Sequence, residues 1–119
     1  MAGAYDRRRG TAIIENRRGI LVVTHGDGGV YLLPGGGARE DELQIIAAIR
    51  ELKEETGLYP IEVRYLFTHL KAKVFGMKVK GTPRPCNEIK KIGWYQPGSH
   101  INVSRNTRAI IDRYLRMKE

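Results

Sequence analysis

The sequence predicts an α/β sandwich with a mixed β-sheet, and two patterns lead to this fold class. Short apolar, β-branched segments lie on both sides of one strongly helical central segment, and a second amphipathic segment ends the chain. A chain of 119 residues with 41% hydrophobic residues has the size and composition of one globular domain. We therefore expect a single domain over residues 1–119.

Six segments have the apolar, β-branched composition of β-strands. The first two are separated by residues 16–19, Asn-Arg-Arg-Gly, a turn sequence that indicates a hairpin. Pro34 and the three glycines after it are expected to end the third strand. The predicted strands cover residues 11–15, 20–25, 30–33, 61–67, 72–79 and 89–95.

Residues 41–56 predict the central helix, because nearly all of them are acceptable or good helix formers. Acidic residues at positions 40–42 favour the positive N-terminal end of a helix, and Gly57 is well placed as the C-terminal stop. Ile45, Ile49 and Leu52 fall on one side, which we expect to pack on the sheet.

Residues 105–117 predict the second helix, which closes the chain. Ser104 or Asn106 is a suitable N-cap, because either side chain can accept a hydrogen bond from a free backbone N–H. An apolar stripe along this helix consists of Ile110, Ile111, Tyr114 and Leu115.

The chain carries 21 Lys and Arg residues against 13 Asp and Glu residues, a formal net charge of +8. A basic surface attracts nucleotides and RNA, although a thermophilic source or a solubility role explains the excess equally well. Cys86 is the only cysteine, so an internal disulfide and a multi-cysteine zinc site are excluded. Since the chain has neither a signal peptide pattern nor an apolar run of roughly 20 residues, we expect a cytoplasmic protein without a membrane partner.

Glu51, Glu54 and Glu55 have the spacing i, i+3 and i+4, which places three carboxylates in one sector of the central helix. No lysine or arginine of the helix is expected at the centre of this sector, and Ala47 and Ala48 are expected to leave space beside it. A solvated acidic face explains most patterns of this kind. A bound cation explains it too, because a cation offsets the repulsion, and ligands that are all oxygen favour Mg²⁺ or Mn²⁺ over zinc.

The spacing between the glycine-rich turn and the central helix decides between these explanations. The residues run Gly36, five residues, Glu42, seven residues, Arg50-Glu51-Leu52, Lys53, Glu54-Glu55, Thr56, Gly57-Leu58. This segment resembles the Nudix box at every fixed position of the motif. Residues 31–36 are similar to the segment that precedes the box in that family, and Glu88 precedes Trp94 by six residues, as a glutamate does in many members.

The resemblance implies a Nudix-type α/β/α sandwich with a mixed β-sheet. It also implies an enzyme in which water attacks a bridging phosphorus of a nucleoside diphosphate derivative, assisted by Mg²⁺ or Mn²⁺. By their positions relative to the motif, the implied metal ligands are the Gly35 carbonyl, Glu51, Glu54, Glu55 and Glu88.

The resemblance implies further roles around these ligands. Either Glu51 or Glu88 would be the general base, and the sequence does not choose between them. Arg50 would hold and orient the carboxylates. The structural residues of the box would be Gly36, Glu42 and Gly57.

Four other residues are weaker candidates for contacting a substrate. Two are the histidines His25 and His69, which lie near strand ends, and two are the aromatic residues Tyr31 and Phe75. Histidines and strand aromatics are more often surface or core residues than ligands, so each position also has this ordinary explanation.

The substrate is predicted from residues outside the box. Members that act on ADP-ribose often carry a proline beyond the box, and those that act on diadenosine polyphosphates often carry a tyrosine nearby. Residues 74–76 are Val, Phe and Gly in this chain. This favours a small member similar to MutT, which converts an NTP or dNTP to the monophosphate and pyrophosphate.

Two alternative functions stay open, together with the oligomeric state. One is removal of pyrophosphate from RNA 5′ ends, which the basic composition motivates. The other is a non-catalytic module that binds nucleotides or RNA, although such modules typically lose carboxylates that this chain retains. A homodimer is common in the family, but no pattern in this sequence demonstrates one.

Overall fold

The computed structural model describes residues 7–26 and 29–118. Its elements are β1 (Arg9–Ile13), β2 (Glu15–Asn16), β3 (Gly19–Thr24), β4 (Val30–Tyr31), β5 (Gly35–Gly37), α1 (Gln44–Thr56), β6 (Tyr59–His69), β7 (Ala72–Lys80), β8 (Lys91–Tyr95), β9 (Asn102–Val103) and α2 (Arg105–Met117).

The described strands form three sheets rather than one. The largest has the order β5-β1-β7-β6, in which β1 runs parallel to β7 and antiparallel to β5. The second sheet has the order β2-β3-β8, and β4 pairs with β9 in the third. The predicted mixed sheet is therefore confirmed, while the division into separate sheets was not predicted.

The two helices cover separate apolar clusters, and neighbouring residues of β1 face different helices. Ala12 belongs to the cluster that contains Leu52 of α1. The next residue, Ile13, belongs to the cluster that contains Ile110 and Ile111 of α2. Successive side chains of a strand point to opposite faces, so β1 lies between α1 and α2. This arrangement is the predicted α/β/α sandwich.

The first predicted hairpin is only partly correct. The turn at residues 16–19 is present, but β3 pairs with the short β2 and not with β1. All five residues of β1 are buried, because this strand lies in the middle of the largest sheet. Both β1 and β3 are apolar, although they belong to different sheets. Composition alone therefore does not show where the chain passes from the first sheet to the second.

The third predicted strand ends before Pro34 as expected, but the glycines that follow form a strand that was not predicted. Gly35–Gly37 is itself β5, which pairs antiparallel with β1. Gly35 has φ 151, and a side chain there would collide with the carbonyl oxygen of Gly10. Glycine is required because the two strands approach so closely, and this requirement hides β5 from strand propensity.

The central helix begins at Gln44, three residues later than predicted. The side chain of Glu42 accepts a hydrogen bond from the Arg39 N–H, and the Glu42 N–H donates to the Arg39 carbonyl. These two bonds hold a turn before the helix, and its first turn carries no acidic residue. The predicted end is confirmed, since Gly57 has φ 76 and donates its N–H to the Lys53 carbonyl at 2.9 Å.

Ala47 and Ala48 do not leave open space beside the glutamates, in contrast to the prediction. Both residues are fully buried. A Cβ built on Gly10 of β1 would lie 2.8 Å from the Ala48 Cβ, so α1 packs almost directly on the backbone of β1. The two small residues serve the close approach of helix and strand.

The second helix agrees with its prediction. It spans Arg105–Met117, and the Ser104 hydroxyl accepts a hydrogen bond from the Thr107 N–H at 3.2 Å. Its apolar stripe packs on the core, with Ile110 and Ile111 fully buried. Across the described part of the chain, neither this helix nor α1 has the length and apolar character needed to cross a membrane.

Candidate active site

A cleft of about 650 Å³ lies beside α1 and is bordered by β5 and by the loop before β8. The structure brings seven of the predicted site residues to this cleft. They are His25, Gly35, Gly36, Glu51, Glu54, Glu55 and Glu88.

Glu55 forms the buried end of the acidic cluster, with 9% of its surface exposed. Its Oε1 accepts a hydrogen bond from the Gly35 N–H at 3.0 Å. Burial raises the pKa of Glu55 to about 8; the Gly35 hydrogen bond opposes this rise, and the neighbouring Glu51 adds to it. The charged form of this carboxylate is therefore disfavoured mainly by its burial.

Glu51 lies directly against β5, the glycine strand (Gly35–Gly37). Its carboxylate occupies the position where Gly36 would carry a Cβ, so residue 36 must be glycine if Glu51 is to keep its place. Burial raises the pKa of Glu51, and a hydrogen bond with Glu54 raises it further. Glu54 is more open to solvent, with 47% of its side chain exposed.

Arg50 connects this cluster to the loop before the helix. Its Nε and Nη2 donate to the two carboxylate oxygens of Glu42, both at 2.8 Å, and Nη2 also donates to the Gly37 carbonyl at 3.2 Å. These hydrogen bonds lower the pKa of Glu42 to about 2. The Arg50 Nη1 lies 3.8 Å from Glu51 and 3.6 Å from Glu54. Although no lysine or arginine of α1 is centred in the glutamate sector, the long Arg50 side chain approaches two of its carboxylates from beside it.

The side-chain oxygens that line the cleft are the type of ligand that a hard divalent cation such as Mg²⁺ prefers. Glutamate oxygens dominate the cleft, and burial raises the pKa values of both Glu51 and Glu55. Within residues 7–26 and 29–118, however, no three His, Cys, Asp or Glu side chains converge closely enough to hold an ion as they stand.

Three of the four weaker substrate candidates lie outside the cleft. Phe75 is buried in the core and packs edge-on against Tyr65, with ring centroids 5.8 Å apart. Tyr31 packs against the α2-side core, and the His69 Nε2 lies 3.3 Å from the Asn106 side-chain oxygen. His25 alone of the four lines the cleft.

Arg9 lines the cleft but was not predicted as a site residue. It is 5% exposed, and its Nε donates to the Thr11 hydroxyl at 3.2 Å. Its charge acts to lower the pKa values of both Glu51 and Glu55. No sequence signal marked Arg9, because it is the first residue of β1 and precedes the predicted strand, which begins at residue 11.

The loop that carries Glu88 is held to the end of α1 by contacts that leave no sequence signal. Asn87 adopts φ 54, and its Nδ2 donates to the Glu54 carbonyl at 2.6 Å. The Cys86 N–H donates to the Glu55 carbonyl at 3.1 Å. These bonds place Cys86 and Asn87 on the wall of the cleft, and Glu88 lines the same cleft as the helix glutamates.

Comparisons with known proteins agree with this geometry. The family model described as NUDIX domain matches residues 5–114. A solved structure assigned to the nudix hydrolase family, from Chromobacterium violaceum, has a TM-score of 0.88 at 40% identity and covers 95% of this chain and 79% of that one. A search of curated protein sequences gave no match.

More distant structures share the fold. The MutT NUDIX hydrolase from Burkholderia pseudomallei has a TM-score of 0.75 at 23% identity, over 89% of this chain and 95% of that one. An ADP-ribose pyrophosphatase from Streptococcus suis has a TM-score of 0.64 at 20% identity, over 86% of this chain and 82% of that one.

The α/β/α sandwich with its glutamate-lined cleft has the fold of nudix hydrolases. The chain belongs to the Nudix family, which confirms the resemblance found in its sequence. Hydrolases of this family generally need a divalent metal ion.

Proposed function

We propose that this protein is a divalent-metal-dependent pyrophosphohydrolase that converts a nucleoside triphosphate to the monophosphate and pyrophosphate. The observation that carries the proposal is the meeting of four glutamates in one cleft of a Nudix fold. They are Glu51, Glu54, Glu55 and Glu88.

The metal ligands that we propose are these glutamates together with the Gly35 carbonyl, and the ion is Mg²⁺ or Mn²⁺. Glu51 and Glu55 already lie on the inner wall, whereas the exposed Glu54 and Glu88 must turn inward to share an ion with them. When bound, such an ion neutralises phosphate oxygens and lowers the pKa of a coordinated water.

Two further roles complete the proposed mechanism: one residue holds the carboxylates in place, and one carboxylate accepts the proton of the attacking water. Arg50 pairs with Glu42 on one side and approaches Glu51 and Glu54 on the other. It therefore holds the helix carboxylates in a fixed position relative to the loop before α1. Either Glu51 or Glu88 accepts the proton, because both carboxylates line the cleft.

The size and walls of the cleft support a nucleotide substrate. Its volume of about 650 Å³ lies within the range of roughly 300–1,000 Å³ that is usual for small-molecule sites. Leu32, Leu33 and Ile89 supply an apolar part of the lining, which suits a nucleobase. A nucleotide has this combination of one flat apolar part and one densely charged part.

The test is product analysis over a panel of NTPs, dNTPs and nucleoside diphosphate sugars, with Mg²⁺, Mn²⁺ or a chelator. We expect monophosphate and pyrophosphate from a triphosphate, and no turnover in chelator. Loss of a metal ligand removes several kcal/mol of transition-state stabilisation, so Glu54→Gln is expected to lower kcat roughly 100-fold or more.

Glu62→Gln is the matched control, because this β6 glutamate has 61% of its side chain exposed and pairs with Lys78 at the surface. It should behave as the unchanged protein does. Full turnover in chelator, or by Glu54→Gln, would show that the glutamate cluster is not a metal site.

Removal of pyrophosphate from RNA 5′ ends is a second candidate, favoured by exposed arginines beside the cleft. Arg7, Arg8 and Arg39 lie close to Glu51 there. Turnover of a 5′-triphosphorylated RNA that exceeds turnover of the free nucleotide, and that falls steeply with salt, would support it. Absence of turnover on that RNA removes this candidate.

A further inference from the structure

A second concavity, of about 550 Å³, adjoins the cleft, and Glu51 lines both. We refer to it as the arginine groove. The last residue of β5, Gly37, and the next residue, Ala38, line the arginine groove. Four arginines contribute to its walls: Arg7, Arg8, Arg39 and Arg50.

The fold, rather than chance exposure, gathers these guanidinium groups. The Arg8 Nη2 donates to the Glu42 carbonyl at 2.8 Å, and its Nη1 donates to the Arg39 carbonyl at 3.4 Å. The Arg7 Nη2 lies 3.2 Å from the position where a Cβ of Gly37 would stand. The Arg7 guanidinium therefore lies close beside the backbone of Gly37.

Most of the positive charge in the groove is not matched by carboxylates. Arg50 is committed to Glu42. Among residues 7–26 and 29–118, by contrast, no ion pair joins Arg7, Arg8 or Arg39 to an acidic side chain. The groove is therefore basic where the cleft is acidic, and the two meet at Glu51.

We propose that the arginine groove binds the terminal phosphate of a triphosphate substrate, on the far side of the bond that is cleaved. This inference rests on the proposed function, which places the reacting phosphoanhydride at the glutamates. A phosphate chain that leaves the cleft past Glu51 enters the groove directly. Guanidinium groups match phosphate oxygens in charge and geometry, whereas a neutral sugar in the same place gains little from them. The groove thus selects nucleoside triphosphates over nucleoside diphosphate sugars.

The experiment compares the double variant Arg7→Gln/Arg39→Gln with Arg17→Gln/Arg18→Gln. The control arginines are exposed on the β2–β3 turn, line neither concavity and remove the same charge. The groove variant lacks two charged donors to the terminal phosphate, so we expect it to lose roughly tenfold or more in kcat/KM for a triphosphate, mainly through KM. For a nucleoside diphosphate sugar, its kcat/KM should stay within about twofold. Equal losses for both substrates, or equal losses in the control, would overturn the proposal.

A binding measurement separates failure of the groove from failure of the proposed function. Inorganic triphosphate is titrated calorimetrically into each full-length protein in low salt with chelator. Weaker binding by the groove variant alone supports the groove even if no nucleotide is turned over. Unchanged binding overturns the groove even if triphosphates are hydrolysed. A greater loss on 5′-triphosphorylated RNA than on the free triphosphate would show that an RNA strand, and not a terminal phosphate, is the ligand.

Discussion

Two glutamates of the same sequence motif, Glu42 and Glu55, have opposite electrostatic environments. Glu42 accepts two hydrogen bonds from Arg50 and one from the Arg39 N–H, and these contacts lower its pKa to about 2. Glu55 is buried beside Glu51 and accepts one hydrogen bond, from the Gly35 N–H. Burial raises its pKa to about 8.

We propose that the difference separates a structural role, for Glu42, from a ligand-binding role, for Glu55. Glu42 has its positive partner within the fold, so its charge is satisfied when the protein folds. Glu55 is buried and accepts one hydrogen bond, from the Gly35 N–H, so its charged form is disfavoured until a cation binds, as we propose one does. The motif has a glutamate at both positions, and only the folded geometry distinguishes their environments.

The largest expected effect is on catalysis at the Glu55 end. Glu55→Gln removes a charged ligand but keeps an oxygen that can accept the Gly35 N–H, so we expect kcat to fall roughly 100- to 1,000-fold. The melting temperature in chelator should not fall, because the substitution also removes repulsion from Glu51. Steady-state kinetics with Mg²⁺ and thermal melting of the same preparation check both statements. Normal turnover would contradict the role of Glu55, and a clearly lower melting temperature would contradict the comparison.

A smaller effect on catalysis, and the opposite pattern in stability, is expected for Glu42→Gln. The variant loses the charge that fixes Arg50, so the melting temperature should fall. Turnover should fall by about tenfold, since Arg50 still approaches Glu51 and Glu54 but is less well held. The same two assays apply, with Glu62→Gln as the control. A melting temperature equal to that of the unchanged protein would remove the structural role of this pair.

Features that depend on neighbours in the chain were predictable from the sequence. The second helix and its Ser104 cap follow from local periodicity and from one hydrogen bond across three residues. The sector shared by Glu51, Glu54 and Glu55 follows from helix geometry, and the spacing of the box connected it to the glycine strand. These inferences needed no knowledge of which strands pair.

Features that depend on distant segments were not predictable. Strand β5 exists because Gly35 and Gly36 fit against β1 and Glu51, and glycine runs look like breaks in a sequence. Arg9 enters the cleft only because β1 lies beside β5, and the loop with Asn87 is positioned by a hydrogen bond to a residue 33 positions earlier. Contacts of this kind are set by sheet order and backbone geometry, and periodicity carries no information about either.

The smallest expected effect concerns the acid stability of the Glu42–Arg50 pair. The pKa of Glu42 is lowered from 4.5 to about 2, so as the pH falls the unfolded chain takes up this proton before the folded protein does. The contribution of the pair is therefore complete above pH 4.5 and is lost as the pH falls toward 2. Melting temperatures measured from about pH 6 to about pH 3 should fall more steeply for the unchanged protein than for Glu42→Gln, because the other carboxylates titrate in both and cancel in the difference. Parallel curves would mean that Arg50 does not favour the charged form of Glu42, and the contrast with Glu55 would then rest on burial alone.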